Sequence, residues 1–270
     1  MARAYWKDLI QSSRGGIMSY VDTGIENANQ IRGQVHQEFP HHTLGMDLNQ
    51  KMKWLLEREF EIYEEQSENA GPNFLLNMET YLTNNPGSYP PLQAILPITA
   101  VTQEVWNILS VLEESLSQGR RTRAGASLEK HIEFLLEREG FVLGTDFAVQ
   151  QQVGGQQRVK LDFLFPANIN TLTVNPNACV TCACMTSVND RARIAVVQVQ
   201  SNTHRRVPTA LGAKQFQSQL DNLGGRLQTA TTNQFRYVVL PSVVNYYNNH
   251  PALMTYQEWF EELTALQPLW

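Results

Sequence analysis

One acidic side chain stands within an otherwise apolar segment that has the composition of a β-strand. Asp162 lies in Lys160–Pro166, where every other residue after Lys160 is apolar. Carboxylate oxygens are the ligands that hard cations such as Mg²⁺ take in proteins, so Asp162 is a candidate metal ligand. An acid at such a position can also keep an edge strand soluble. The choice between these two roles therefore depends on the sequence segments around Asp162.

The segments around Asp162 predict a mixed β-sheet flanked by helices, an α/β (α+β) fold. Leucine and isoleucine recur every three or four residues in 126–139, which predicts an amphipathic helix. Short runs rich in Val, Ile and Phe, bounded by turn residues, predict four strands. The strands are predicted at 146–152, 158–165, 194–200 and 235–240, and further helices at 209–223 and 256–266.

The N-terminal part has a different character. Helical patterns cover 51–66, 73–82 and 102–115, and no chemical motif accompanies them. We therefore divide the chain into a helical region, 1–118, and a core, 119–270. The helical region is a candidate for dimerisation or for embracing a partner.

Composition limits the classes of function. The apolar stretches are too short to span a membrane, and Lys7 and Asp8 interrupt any apolar core of a signal peptide, so we expect a cytoplasmic protein. The net charge is −5, but the basic residues form local clusters. A basic cleft on an acidic chain is compatible with binding nucleic acid. The clusters are Arg120–Arg123, Arg158–Lys160, Arg191–Arg193 and Arg205–Arg206.

All three cysteines lie within six residues, at Cys179, Cys182 and Cys184. Three thiols cannot form a disulfide framework. They have the spacing of a zinc knuckle but lack the fourth ligand of a structural zinc site, which His204 could supply only if the fold brought it close. We expect a reduced, partly buried loop without metal.

Three blocks of the sequence resemble the EcoRII-like branch of the type II restriction endonucleases, which belong to the PD-(D/E)XK superfamily. The first is an Arg-Ala-Gly segment leading into a helix with an acid. The second is a Gln-containing strand followed by Asp-Phe-Leu-Phe-Pro, and the third is a last strand before a closing helix. The blocks are Arg123–Glu133, Gly140–Pro166 and Tyr237–Ser242 with Leu253–Thr255.

The resemblance implies an enzyme that hydrolyses phosphodiester bonds of double-stranded DNA with Mg²⁺. Asp162 matches the principal metal ligand, and Glu129 matches the helix carboxylate that supports the metal site. Glu133 could equally be the acid that points inward, because both flank the apolar stripe of the helix. A palindromic target would favour a homodimer.

The chain departs from the family pattern at two places. The family has a Lys at the end of the next strand, and Val197–Gln200 offers Gln200 there, with Gln198 as a further candidate. The branch also takes a second carboxylate from the following helix, but Leu211–Gln215 contains no acid, and Asp221 lies too far along. These departures are the basis of an alternative, a sequence-specific DNA-binding protein of the same fold with a degenerate site. The primary prediction is a type II restriction endonuclease that makes sequence-specific double-strand cuts, because the three blocks agree in order with the family.

The segment after that strand carries candidates for reading bases. Arginine matches the acceptors of guanine and asparagine those of adenine, although such side chains bind phosphate equally well. The DNA-binding candidates are Asn202, His204, Arg205 and Arg206 in a strand-to-helix loop, with Arg123, Arg158 and Lys160 for the backbone. A third hypothesis is a protein-interaction module stabilised by metal at the cysteines.

Overall fold

A computed structural model describes most of the chain. The described residues are 26–43, 45–69, 72, 73, 76, 79, 80, 83, 84, 127–153, 159–185, 202–213 and 217–270. No helix among them is long and apolar enough to cross a membrane.

Seven helices and six strands have defined bounds within the described residues. Three short 3₁₀ segments, Phe39–His42, Pro176–Ala178 and Gln267–Leu269, accompany them. The helices are α1 (Ala28–Glu38), α2 (Leu48–Glu68), α3 (127–138), α4 (Ile169–Val174), α5 (Gln217–Thr232), α6 (Pro241–Tyr246) and α7 (Tyr256–Leu266). The strands are β1 (Ala148–Val153), β2 (Val159–Phe165), β3 (Val180–Cys182), β4 (His204–Pro208), β5 (Phe235–Val239) and β6 (Leu253–Thr255).

The strands form one six-stranded sheet in the order β1-β2-β3-β4-β5-β6. The first two pairings are antiparallel, and the pairings from β3 to β6 are parallel. The predicted mixed sheet with flanking helices is therefore confirmed.

Buried apolar stripes hold α3 and α7 in place. Leu128, Ile132, Leu135 and Leu136 of α3 are fully buried, as their spacing predicted. On α7 the buried residues are Tyr256, Trp259, Phe260 and Leu263. Thr255 starts α7 with a capping box, in which it and Glu258 satisfy each other's backbone N–H groups.

Several predicted elements agree closely with the structure, and others need correction. β1, β2, β5, α3 and α7 begin and end within two residues of their predicted bounds, and the described residues of 73–82 are helical. The helix predicted at 209–223 instead begins at Gln217, because Thr209 and Leu211 continue from β4 as a bridge and a turn. The predicted helix 102–115 and strand 194–200 lie outside the described residues.

The chain forms two compact units, and the predicted division at 118/119 lies outside the described residues. Residues 35–58 join the unit that contains the sheet, so this part of the helical region packs with the core. Lys51 pairs with Glu139 at 2.6 Å, and the Phe39 ring contacts Phe134 on α3. The described residues of 26–34 and 59–84 belong to the other unit.

Candidate active site

Two carboxylates from different elements meet beside the antiparallel end of the sheet. Glu129 comes from α3 and Asp162 from β2, and the side-chain amide of Gln150, on β1, joins them. Gln150 Nε2 donates a hydrogen bond to Glu129 Oε2 and another, of 3.3 Å, to Asp162 Oδ1. The pair is thus held by one neutral donor group.

Strand register explains why Gln150 reaches both acids. Val149 pairs with Phe163 and Gln151 with Leu161, so Gln150 lies opposite Asp162. The backbone of Gln150 has a φ of +55°, in the left-handed region that residues with a Cβ seldom adopt. β1 is therefore locally distorted at the point where it faces Asp162.

The other oxygen of Asp162 is fixed by the backbone just beyond β3. The N–H of Cys184 donates to Asp162 Oδ2 at 2.7 Å. β3 is the neighbour of β2 on the side away from β1, and Phe163 pairs with Cys182. On this side, Asp162 is therefore contacted by Cys184, two residues beyond the end of β3.

Neither carboxylate is neutralised by a cation in direct contact among the described residues. Burial, followed by the charge of Asp162, raises the pKa of Glu129 to about 7, although Gln150 and Lys160 oppose this. Burial also raises the pKa of Asp162, against hydrogen bonds from Cys184 and Gln150 and the charge of Lys160. Both acids are thus destabilised in their charged form.

The pair suits a hard divalent cation. Mg²⁺ binds through one or two carboxylates and completes its coordination with water and substrate phosphate oxygens. Within the described ranges no three His, Cys, Asp or Glu side chains converge as a ligand set. Two carboxylates with raised pKa values, both of which a bound cation would lower, fit Mg²⁺ better than a metal that needs a full protein cage.

The fold distinguishes the two candidate acids of α3. Glu129 shares the Gln150 amide with Asp162, whereas Glu133 pairs with Lys130 at 2.5 Å. Lys160 is exposed two residues before Asp162 on β2, and its charge acts on both acids of the pair. Gln198, Gln200, Arg123 and Arg158 lie outside the described residues.

The predicted loop with two arginines is instead the central strand β4. Arg205 and Arg206 are only 4% and 6% exposed. Arg206 forms an ion pair with Glu262 of α7, and Arg205 donates to the backbone oxygen of Asn233. His204 contacts Glu262 at 2.9 Å, and Asn202 is the exposed member of the segment. Base reading by Arg205 and Arg206 thus gains no support from their burial and their partners.

The cysteine segment also differs from its prediction. Instead of a loop, Val180–Cys182 forms β3 inside the sheet. Cys179 and Cys182 are buried, all three thiols are free, and burial raises the pKa of each. Sequence reasoning missed that this segment supplies the neighbour of Asp162, and it did not single out Gln150.

Part of the sequence is similar to a known protein family. Residues 97–223 match the family model described as EcoRII C terminal. A search of curated proteins found no match.

Two solved structures share the fold. The first is metal-depleted Ecl18kI in complex with uncleaved, modified DNA, with a TM-score of 0.60 and 15% identity over 99% of this chain and 85% of that one. The second is a complex of the restriction endonuclease PspGI with substrate DNA, with a TM-score of 0.59 and 14% identity over 91% of this chain and 95% of that one.

These similarities extend from the fold to the sequence blocks that carry Glu129 and Asp162. The chain thus has the restriction-endonuclease fold, and its resemblance to the EcoRII-like restriction endonucleases is confirmed.

Proposed function

We propose that the protein is a type II restriction endonuclease that makes sequence-specific double-strand cuts in DNA by Mg²⁺-dependent hydrolysis. The observation that carries this proposal is the convergence of Glu129 and Asp162, with no cation in direct contact with either among the residues that the structure describes. A purely structural acid pair would be expected to have a cationic partner, because burying two like charges is unfavourable.

Each residue of the site has a distinct part in the proposed chemistry. Asp162 and Glu129 would hold Mg²⁺, which when bound neutralises the phosphate and favours a nucleophilic water. The Cys184 N–H fixes the orientation of Asp162 through one oxygen. Lys160, exposed near both acids, supplies positive charge for the DNA backbone.

The proposed substrate is a duplex bound by a homodimer, each subunit cutting one strand of a two-fold symmetric site. Both similar structures are of restriction enzymes with DNA, and the present fold is alike along nearly its whole length. Among the described DNA-binding candidates between Asn202 and Arg206, Asn202 and the half-buried His204 are the side chains available to DNA.

Cleavage of a large unmethylated DNA by the purified protein tests the proposal. With Mg²⁺ we expect the natural protein to cut the DNA into discrete fragments and the Asp162→Ala variant to leave it uncut. The matched control is Asp146→Ala, a half-buried acid away from the pair, whose side chain accepts a turn hydrogen bond from the Val142 N–H. Absence of cleavage by the natural protein, with Mg²⁺ and with Mn²⁺ on varied DNA, would contradict the proposal.

One observation favours a second function, a sequence-specific DNA-binding protein that does not cut. Cys184, the residue beyond β3 that contacts Asp162, is neutral, and so is Gln200, which was matched to the family's Lys. Without that cation, charge that develops on the phosphate is less well stabilised.

Cys184→Lys separates the two functions. If the natural protein binds DNA without cutting and the variant cuts, the site is degenerate for want of the cation. If the natural protein cuts, the second function is excluded.

A further inference from the structure

Gln150 combines an unfavourable backbone conformation with a bridging side chain. Its φ of +55° falls inside β1, whereas the other described non-glycine residues of positive φ lie outside the strands, at Gln234, Asn248 and Asn249. Such a conformation within a strand persists only where the surroundings impose it, and residues of this kind cluster at functional sites.

The side chain joins elements that are distant in sequence. One amide group donates to Glu129, 21 residues earlier, and to Asp162, 12 residues later. An amide nitrogen carries two hydrogens, so a single group can satisfy one acceptor position on each acid. An ionised carboxylate has about four acceptor positions, so both acids keep others free for a ligand.

Neighbouring glutamines do not share this arrangement. Gln151 donates back to the Val149 carbonyl, and Gln152 is exposed. The left-handed backbone at Gln150 therefore coincides with the one glutamine of β1 that contacts both acids.

We propose that Gln150 is a positioning residue, whose amide holds the carboxylates of Glu129 and Asp162 in the convergent arrangement that binds a divalent cation. The inference rests on the proposed function, because it requires that the pair bind a cation. Groups that hydrogen-bond to ligating carboxylates typically change metal affinity by roughly 10- to 100-fold when they are removed.

Binding of Mn²⁺ without DNA, measured by calorimetry, tests the proposal on the full chain. Gln150→Met keeps the length of the side chain but removes the amide N–H groups that donate to Glu129 and Asp162. We expect its Mn²⁺ affinity to fall about 10-fold or more. Gln234→Met is the matched control, with a glutamine of the same backbone class in the turn before β5, and should keep the natural affinity within about twofold.

The outcomes separate this inference from the proposed function. If the natural protein binds Mn²⁺ and Gln150→Met binds it equally well, the positioning role is overturned while the cation site stands. If the natural protein binds no Mn²⁺, the cation site and the role of Gln150 both fail.

Gln150→Gly is a second variant that tests the same role if Gln150→Met does not fold, because glycine adopts positive φ without strain. It should show the same loss of Mn²⁺ affinity with a higher melting temperature than Gln150→Met. Natural Mn²⁺ affinity in the Gly variant would also overturn the positioning role.

Discussion

Two clusters of charged side chains shift the pKa of a glutamate in opposite directions. Beside β1, β2 and β3, Glu129 and Asp162 share one neutral amide, and burial raises the pKa of Glu129 to about 7. At β4, burial alone would raise the pKa of Glu262, but hydrogen bonds from His204 and Arg206, together with their charges, lower it to about 2. In the part of the chain that the structure describes, no cation contacts the first pair directly, whereas Arg206 contacts Glu262 in the second cluster.

The difference separates a structural ion pair from a site prepared for a ligand. Arg206 and Glu262 fasten α7 to the sheet, and their charges compensate each other within the protein. Among the described residues, the charges of Glu129 and Asp162 are compensated only in part and without direct contact, by Lys160. Perturbed acids of this kind are typical of functional sites, although paired structural groups can be perturbed as well.

The largest expected difference between the clusters is in DNA cleavage. Asp162→Asn should reduce the cleavage rate by about 1000-fold or more, because an amide binds Mg²⁺ poorly and leaves the phosphate charge exposed. Glu262→Gln should stay within a few-fold for the folded protein. Cleavage rates under single-turnover conditions measure both, and a similar loss in the two variants would remove the distinction.

Stability should respond in the opposite order. Glu262→Ala leaves Arg206 buried without its partner, so we expect the free energy of unfolding to fall by about 3 kcal/mol. Asp162→Asn should leave stability unchanged or higher at neutral pH, because burial disfavours the charged form of Asp162. Urea denaturation measures both, and a large loss in Asp162→Asn would show that its charge is structurally paired.

The pH dependence of stability should differ between the clusters. The raised pKa of Glu129 means that the folded state holds its proton more tightly. The free energy of unfolding therefore falls as pH rises from about 4.5 to about 7. For Glu262 the pKa is lowered, so its contribution is present above about 4.5 and is lost as pH falls towards 2.

Glu129→Gln should remove the first of these dependences. The free energy of unfolding of the variant, relative to that of the natural protein, should be about 2 kcal/mol higher at pH 8 than at pH 4.5. This figure allows for the solvent-exposed part of the side chain. Denaturation at both pH values measures the gain. Parallel pH profiles for the two proteins would show that Glu129 titrates normally.

The smallest expected effect is stabilisation by a divalent cation. A ligand at ten times its dissociation constant stabilises the folded state by about 1.4 kcal/mol, which raises the melting temperature of a protein of this size by about 3 °C. Mg²⁺ should produce this shift at pH 8 and less at pH 5.5, where Glu129 is protonated. Glu262→Gln should keep the shift, and Glu129→Gln should lose most of it.

Local patterns in the sequence predicted the elements that carry the site. Leucine spacing located α3, and the apolar run around Asp162 located β2, because both signals are contained within a single element. The choice between Glu129 and Glu133 was not predictable, since it depends on which side of α3 faces β2.

The missed features depend on long-range pairing. β3 has only three residues, too few for a pattern, and its place beside β2 is set by register. Arg205 and Arg206 were predicted to read bases from a strand-to-helix loop, because arginine matches the acceptors of guanine. The partner that allows Arg206 to be buried, Glu262, is 56 residues away and has no local signal.

The most direct measurement of the central claim is anomalous diffraction from a crystal soaked in Mn²⁺. We predict a peak about 2.0 to 2.4 Å from carboxylate oxygens of both Glu129 and Asp162, within the range of hard-cation coordination. A peak that lies away from both acids would contradict the claim that this pair is the cation site. So would the absence of a peak in a crystal soaked well above pH 7, where Glu129 is ionised.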